Sequence, residues 1–277
     1  MRFGFAFNPT NPQARASLER ALAWCGAHGV DAWDSEAEDQ EKIAAACAGT
    51  DLVCVLGGDG TFLRAARGIG DSGAPTLGVN LGRVGFLAKV ETDELERALA
   101  QVASGDFELE DRFRIEATYL RASGDRERFA CLNEVVLARG TRVRMIQVEV
   151  EVSGSHLATW VSDGVVVATP TGSTAYSFSA GGAVLDPRLR NMIITPVAPY
   201  LSPLRSVVAG EDHLVRLTLR LAASGATISI DGQRDLPMAV GETVEVRALP
   251  APLRMVQLSG GTPFYDLLRT KASLLPY

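Results

Sequence analysis

Histidine and cysteine are scarce, with three histidines and four cysteines in 277 residues. His28, His156 and His213 are scattered, with no metal-ligand spacing and no partner for a serine or cysteine nucleophile, which argues against a zinc site and against a hydrolytic triad. No G-x-S-x-G elbow occurs either, because Gly172 and Ser173 are adjacent. Cys25, Cys47, Cys54 and Cys131 form no C-x-x-C pair and lie in apolar or helical surroundings, so they read as core packing in a reducing compartment. Excess basic charge is lacking: 27 Lys and Arg against 33 Asp and Glu leave a net charge of -6, the opposite of a nucleic-acid footprint. No stretch approaches the ~20 apolar residues that span a bilayer. The apolar start, Phe3 to Phe7, is too short for a secretion signal. The expectation is a cytoplasmic protein with neither nucleic acid nor membrane as partner.

What is present is ordinary globular composition, 47% hydrophobic and 22% charged, long enough for two domains. Phe3 to Phe7 reads as a buried strand, and Asn11-Pro12 as an N-cap followed by a proline at the first helical position, predicting a helix to about His28. A second helix is predicted from about Glu36 to Ala48. It leads into Leu52 to Leu56, an apolar run of the kind that parallel sheets bury on both faces. Thr61 to Arg67 reads as helix and Pro75 to Val79 as strand, and Thr92-Asp93-Glu94 opens a helix reaching about Ala103. Alternating strand and helix predict an α/β domain over residues 1–111 with a mainly parallel sheet. Beyond Arg112 come short Val, Ile and Thr-rich segments separated by turn residues: Met145 to Val152, Leu214 to Leu221, Thr227 to Ile230 and Thr243 to Val246. They predict an all-β domain over residues 112–254.

Two segments carry chemistry. Gly57-Gly58-Asp59-Gly60-Thr61 follows a buried strand and opens a helix, where backbone N–H groups and the helix dipole attract phosphate. It is neither a dinucleotide fingerprint, since Leu63 falls where the third glycine belongs, nor a P-loop, since the G-K-[ST] ending is missing. A carboxylate beside polyphosphate is repelled unless it coordinates metal or accepts a proton, which makes Asp59 a candidate base; the plain alternative is an Asp-Gly helix cap. The run from Asp163 to Gly182 concentrates hydroxyls and glycines after an apolar strand, a surface suited to a polyol with a base packed close to the backbone. Asn133-Glu134 interrupts an apolar strand, and Asp231-Gly232-Gln233 reads as a hairpin turn.

In this order, the G-G-D-G-T loop, the Asn-Glu pair, the T-P-T-G-S-T-A-Y run and the late D-G-Q turn resemble the NAD kinase family of bacterial type, over nearly the whole chain. The loop alone is shared with diacylglycerol and sphingosine kinases and, as a variant, with phosphofructokinases; the T-P-T-G-S-T-A-Y-S run is far more specific. The resemblance implies a Rossmann-like first domain, a β-sandwich-like second domain with the site between them, and a final segment, 255–277, whose Phe264 to Lys271 returns to the first domain. It implies phosphorylation of the 2′-hydroxyl of the adenosine ribose of NAD, with magnesium and ATP or polyphosphate. Asp59 becomes the proton acceptor, with Gly60 beside it and Arg64 toward phosphate. Asn133 and Glu134 meet the adenosine portion and Asp163 the nicotinamide-side ribose. Phe86, Thr171, Thr174, Ala175, Tyr176, Ser177, Phe178 and Ser179 line the adenine pocket, and Arg144, Ala198, Asp231 and Gln233 contact the dinucleotide. No dedicated metal ligands are implied. A homodimer or homotetramer is. Two departures stand out: Val161 replaces an arginine tied to preference for NAD over NADH, and Tyr200 replaces a common histidine. A lipid or sphingoid kinase and a catalytically silent dinucleotide sensor are the competing readings.

Overall fold

Local signals start the first unit as expected. β1 (Arg2–Phe7) is followed by α1 (Pro12–Ala27), whose N-cap Asn11 accepts the Gln13 N–H and whose first position is proline. Then come β2 (Asp31–Glu36), α2 (Gln40–Ala46), β3 (Leu52–Leu56), α3 (Asp59–Ile69), β4 (Thr76–Asn80), the short β5 (Val90–Glu91), α4 (Leu95–Ser104), closed by left-handed Gly105, and β6 (Phe107–Arg112). The computed structural model describes residues 1–82, 85–140 and 144–273.

The second unit, Arg112–Pro252, holds β7 (Ile115–Leu120), β8 (Arg126–Cys131), β9 (Glu134–Arg139), β10 (Ile146–Val152), β11 (Ser155–Ser162), β12 (Gly164–Ala168), the single-turn α5 (Tyr176–Ser179), β13 (Asn191–Val197), β14 (Val207–Gly210), β15 (Val215–Leu221), β16 (Ala226–Ile230), β17 (Arg234–Met238) and β18 (Thr243–Ala248). The chain then rejoins the first unit as β19 (Leu253–Leu258) and α6 (Phe264–Ser273).

The first sheet runs β2-β1-β3-β4-β19-β6, with β5 added beside β4, and its β1, β2, β3 and β4 pair in parallel. β3 and β4 are buried at every residue, as interior strands covered on both faces must be. One expectation is corrected here. Residues 36–39, expected to begin a helix, lie instead at the end of β2 and the turn after it; α2 starts only at Gln40, with Asp39 as its cap. β2 is polar and would not nominate itself, but it pairs along all of β1 and lays Trp33 over Gly4, where an added Cβ would sit 2.2 Å from the indole. Tertiary pairing overrides local propensity at such an edge.

The second unit is two antiparallel six-stranded sheets, β11-β10-β15-β18-β7-β8 and β14-β13-β12-β9-β16-β17. Their alternating Val, Ile and Leu residues form one core, including Ile115, Val135, Leu137, Val148, Val165, Leu217, Ile228 and Val246. Val136, Val166, Ala168 and Ile193 form a second apolar cluster, so β9 and β12 are apolar on both faces. The four cysteines are free and buried, and burial pushes the Cys25 thiol up to about 11, as packing residues require.

A buried carboxylate ties down one end of the first of these sheets. Glu242 accepts hydrogen bonds from the Tyr119 hydroxyl and from the backbone N–H groups of Ala122 and Ala239. Burial opposes its charge, yet these donors and Arg121 outweigh burial and hold it below the usual carboxylate range. The stability it contributes is therefore present above the unfolded carboxylate range and lost as pH falls through the lowered folded value. We predict that Glu242→Gln costs about 1–3 kcal/mol at neutral pH and that this difference shrinks under acid, as read by thermal melts across pH.

Candidate functional site

Asp59 is the first residue of α3, between Gly58 and Gly60, both exposed. Its carboxylate is held by a loop of the same unit: Phe86 N–H donates to Oδ2 at 2.9 Å, and the N–H groups of Leu87 and Ala88 donate to Oδ1 at 3.0 and 3.1 Å. Gly85 makes this approach possible, because a Cβ there would lie 1.8 Å from Oδ1. The loop also carries Phe86, whose ring meets Phe264 of α6 at 5.9 Å between centroids and lies 5.1 Å from the Lys271 ammonium. The acid is thus an oriented carboxylate and not merely a helix cap. Oδ1 takes two donors and Oδ2 one, which leaves Oδ2 the less occupied oxygen. Arg64 turns to Glu38, with Nε 3.6 Å from Oε1.

In the second unit the sequence reading needs a correction: Asn133 lies in the turn between β8 and β9, and Glu134 is the first residue of β9, so the pair opens a strand and does not interrupt one. The backbone there is gripped from both sides. Asp231, at the β16–β17 hairpin, accepts the Leu132 N–H on Oδ2 at 3.1 Å and the N–H groups of Asn133 and Glu134 on Oδ1 at 2.8 and 3.0 Å. From the other side Thr169 donates its N–H to Asn133 O at 2.8 Å and its hydroxyl to Leu132 O at 2.5 Å. Gly172 then passes so close that a Cβ would fall 2.2 Å from Asn133 O. Thr169 and Gly172 of the T-P-T-G run therefore serve the Leu132-Asn133 backbone as much as any ligand.

Over this junction opens a cavity of about 510 Å³ lined by Glu134, Val136, Ala138, Arg139, Gly140, Tyr176, Thr227, Ser229, Gly232 and Asp235, a size that suits a small-molecule site. Asn133 Oδ1 and Glu134 Oε2 are buried without a hydrogen-bond partner, and such atoms mark where a ligand supplies the missing bond. Of the predicted residues, Glu134 and Tyr176 line the cavity, and Asp231 holds the backbone of Asn133 and Glu134. Asp163 pairs with Arg139 at 2.7 Å, at the end of the same two strands.

Several predicted residues face elsewhere. Ser177 is buried, its hydroxyl 3.0 Å from that of Thr195; Thr171 is buried within 3.4 Å of the Arg112 guanidinium, and Thr174 donates to Thr171 O. Phe178 and Ser179 are exposed, with Ala175 half-buried between them and the preceding turn. Arg144 and Ala198 are exposed, Ala198 in a left-handed turn, and Gln233 is half-buried in the Asp231 hairpin. Sequence reasoning missed Arg139 and Gly85, and took Thr169 only as part of the T-P-T-G-S-T-A-Y run. Arg139 resembles any strand-end cation in the sequence, and Gly85 any loop glycine.

A glycine-flanked, oriented carboxylate at a helix start, and a cavity lined by a glutamate with an unpartnered carboxylate oxygen, suit a nucleotide-handling phosphotransferase. Residues 3–107 match the ATP-NAD kinase N-terminal domain and residues 132–258 the ATP-NAD kinase C-terminal domain. The NAD kinase of Heliobacterium modesticaldum is 42% identical over 80% of this chain and 78% of its own, and that of Syntrophotalea carbinolica 33% over 98% and 97%. The fold is similar to yeast NADH kinase complexed with NADH, with a TM-score of 0.84 and 22% identity over 99% of this chain and 87% of that one. It is likewise similar to an NAD kinase from Archaeoglobus fulgidus in complex with ATP, with a TM-score of 0.81 and 24% identity over 100% of both chains. The chain belongs to the ATP-NAD kinase family.

The Asp59 grip generates a test that leaves the carboxylate in place. Gly85→Ala forces the loop away from Asp59, and we predict a loss of turnover on the order of a hundredfold in a protein whose thermal melt still shows a folded state. Wild-type turnover in this variant would show that the loop does not orient the acid.

Proposed function

We propose that the protein transfers the γ-phosphoryl group of ATP to the 2′-hydroxyl of the adenosine ribose of NAD, with Asp59 as proton acceptor. The observation that carries this reading is the Asp59 carboxylate, fixed by three backbone N–H groups between two exposed glycines. As the ribose oxygen bonds to phosphorus and the β–γ bridge bond breaks, the hydroxyl proton passes to Oδ2 and ADP leaves. Phosphoryl transfer has a loose transition state, so positioning contributes more than prior ionisation of the hydroxyl. The start of α3 and its glycines suit the donor phosphates. In the second unit, Asn133, Glu134 and Tyr176 suit the adenosine, and Asp163, beside Arg139, the second ribose.

Magnesium fits as a passenger of ATP. Magnesium is commonly held by substrate phosphates with few protein ligands. Among the described residues no helix is long and apolar enough to cross a membrane. A homodimer or homotetramer working in the cytoplasm is the accompanying expectation, on the strength of the family resemblance.

The test is NADP formation from NAD and magnesium-ATP, read by a coupled NADP-specific dehydrogenase. Wild type is expected to form NADP, and Asp59→Asn to keep NAD binding within a few-fold while losing turnover; unchanged turnover would remove Asp59 from the mechanism. Phosphorylation of diacylglycerol with NAD untouched would replace the reading by the lipid kinase. Val161, on β11 and 38% exposed, leads us to expect measurable NADH phosphorylation, with its complete absence showing that the missing arginine is not the determinant.

A further inference from the structure

Glu134 is 6% exposed, and its Oε2 has no hydrogen-bond partner. Its one evident donor is the backbone N–H of Tyr176. The groups around it do not favour a second charge. The Asp231 carboxylate lies against the Glu134 backbone from the β16–β17 hairpin, and Asp235 lines the same cavity. The cation among the lining residues, Arg139, pairs with Asp163. A carboxylate with one oxygen buried and undonated, beside a second carboxylate, is strongly disfavoured against its protonated form.

Asp231 cannot move away to relieve this. Its oxygens accept three consecutive backbone N–H groups, its own N–H donates to Glu134 O at 2.9 Å, and its backbone is left-handed at φ 50, followed by Gly232 at φ 62. The charge of Asp231 is itself held by these donors, so of the two acids Glu134 is the one that carries the proton.

We propose that Glu134 meets its ligand as a neutral carboxylic acid, donating a hydrogen bond from Oε2, and that Asp231 is a positioning residue that fixes the Asn133-Glu134 backbone and keeps that proton in place. The ligand is then offered a hydrogen-bond donor by Glu134, a cavity-lining residue, which selects a group that accepts. Burial first and Asp231 second push the Glu134 carboxyl up to about 8, so the acid form prevails at neutral pH. The inference rests on the NAD kinase reading only for the identity of the ligand.

Two measurements test it. In the ligand-free protein, a group protonated in the folded state and ionised in the unfolded one contributes stability that is lost as pH rises through its folded value. The melting temperature of wild type should therefore fall relative to Glu134→Gln between pH 5 and pH 8, whether or not the protein phosphorylates NAD; parallel curves overturn the proposal. In the kinase assay, the KM for NAD should be about tenfold higher at pH 9 than at pH 7 in wild type, with the rise absent in Glu134→Gln and shifted to lower pH in Asp231→Asn. A wild-type KM flat across this range, or a rise that persists in Glu134→Gln, overturns it. Should Asp231→Asn fail to fold, the Glu134→Gln comparisons decide the protonation, and amide exchange of Leu132 to Glu134 in wild type decides the grip: protection is expected, and rapid exchange overturns it.

Discussion

A carboxylate accepting several consecutive backbone N–H groups is the interaction on which both halves of the candidate machinery depend. Asp59 does this for Phe86, Leu87 and Ala88, and Asp231 for Leu132, Asn133 and Glu134. Charge-assisted bonds of this kind contribute roughly 1.5–3 kcal/mol each, and three on one side chain fix its orientation as well as its charge. Each grip also needs close approach. Gly85 supplies it for Asp59, and Gly172 lets the turn after β12 draw in against Asn133.

In the second unit the grip is an extension of the sheet. β9 and β16 pair in register through Ile230 and Val135. Where β9 begins, the Asp231 N–H continues the ladder to Glu134 O, and the Asp231 side chain replaces the carbonyls that no further strand residue supplies. Just after β12, which pairs Ala168 with Glu134, Thr169 extends the other side as a donor, its N–H to Asn133 O and its hydroxyl to Leu132 O. The site residues are therefore placed by strand register, and a slip of one residue would turn Asp231 away from the junction. The Val, Ile and Leu core between the two sheets fixes that register, which links a purely apolar feature to the placement of polar groups.

The protein thus concentrates rigidity where its chemistry needs it. The Asp59 carboxylate is oriented without being enclosed, since the residue is half-buried and its neighbouring glycines are exposed. Glu134 is enclosed beside a fixed negative charge. The two acids thus sit in different surroundings: Asp59 accepts three backbone N–H groups and is half-buried, whereas Glu134 is buried with Oε2 unpartnered.

Much of this was legible in the sequence. The apolar run of β3, the Asn11-Pro12 start of α1 and the change to short β-prone segments near residue 112 carry their own physical signals, because burial on both faces, capping and alternation act within a few residues. The D-G-Q turn was legible for the same reason. So were the Asp59 loop and the T-P-T-G run, as segments too rich in glycine and hydroxyls to be packing alone. What no local signal could carry was β2, a polar strand that exists because β1 lies beside it, and the partners of each acid: Phe86 for Asp59, Leu132 and Thr169 around Asn133, Arg139 for Asp163. These are contacts between residues far apart in the chain. The sequence by itself determined which residue types were available for phosphate and nucleoside chemistry; only the tertiary structure decided which acid is oriented, which is enclosed and which serves the backbone, because hydrogen-bond partners and burial are set by strand register and packing and not by neighbours in sequence.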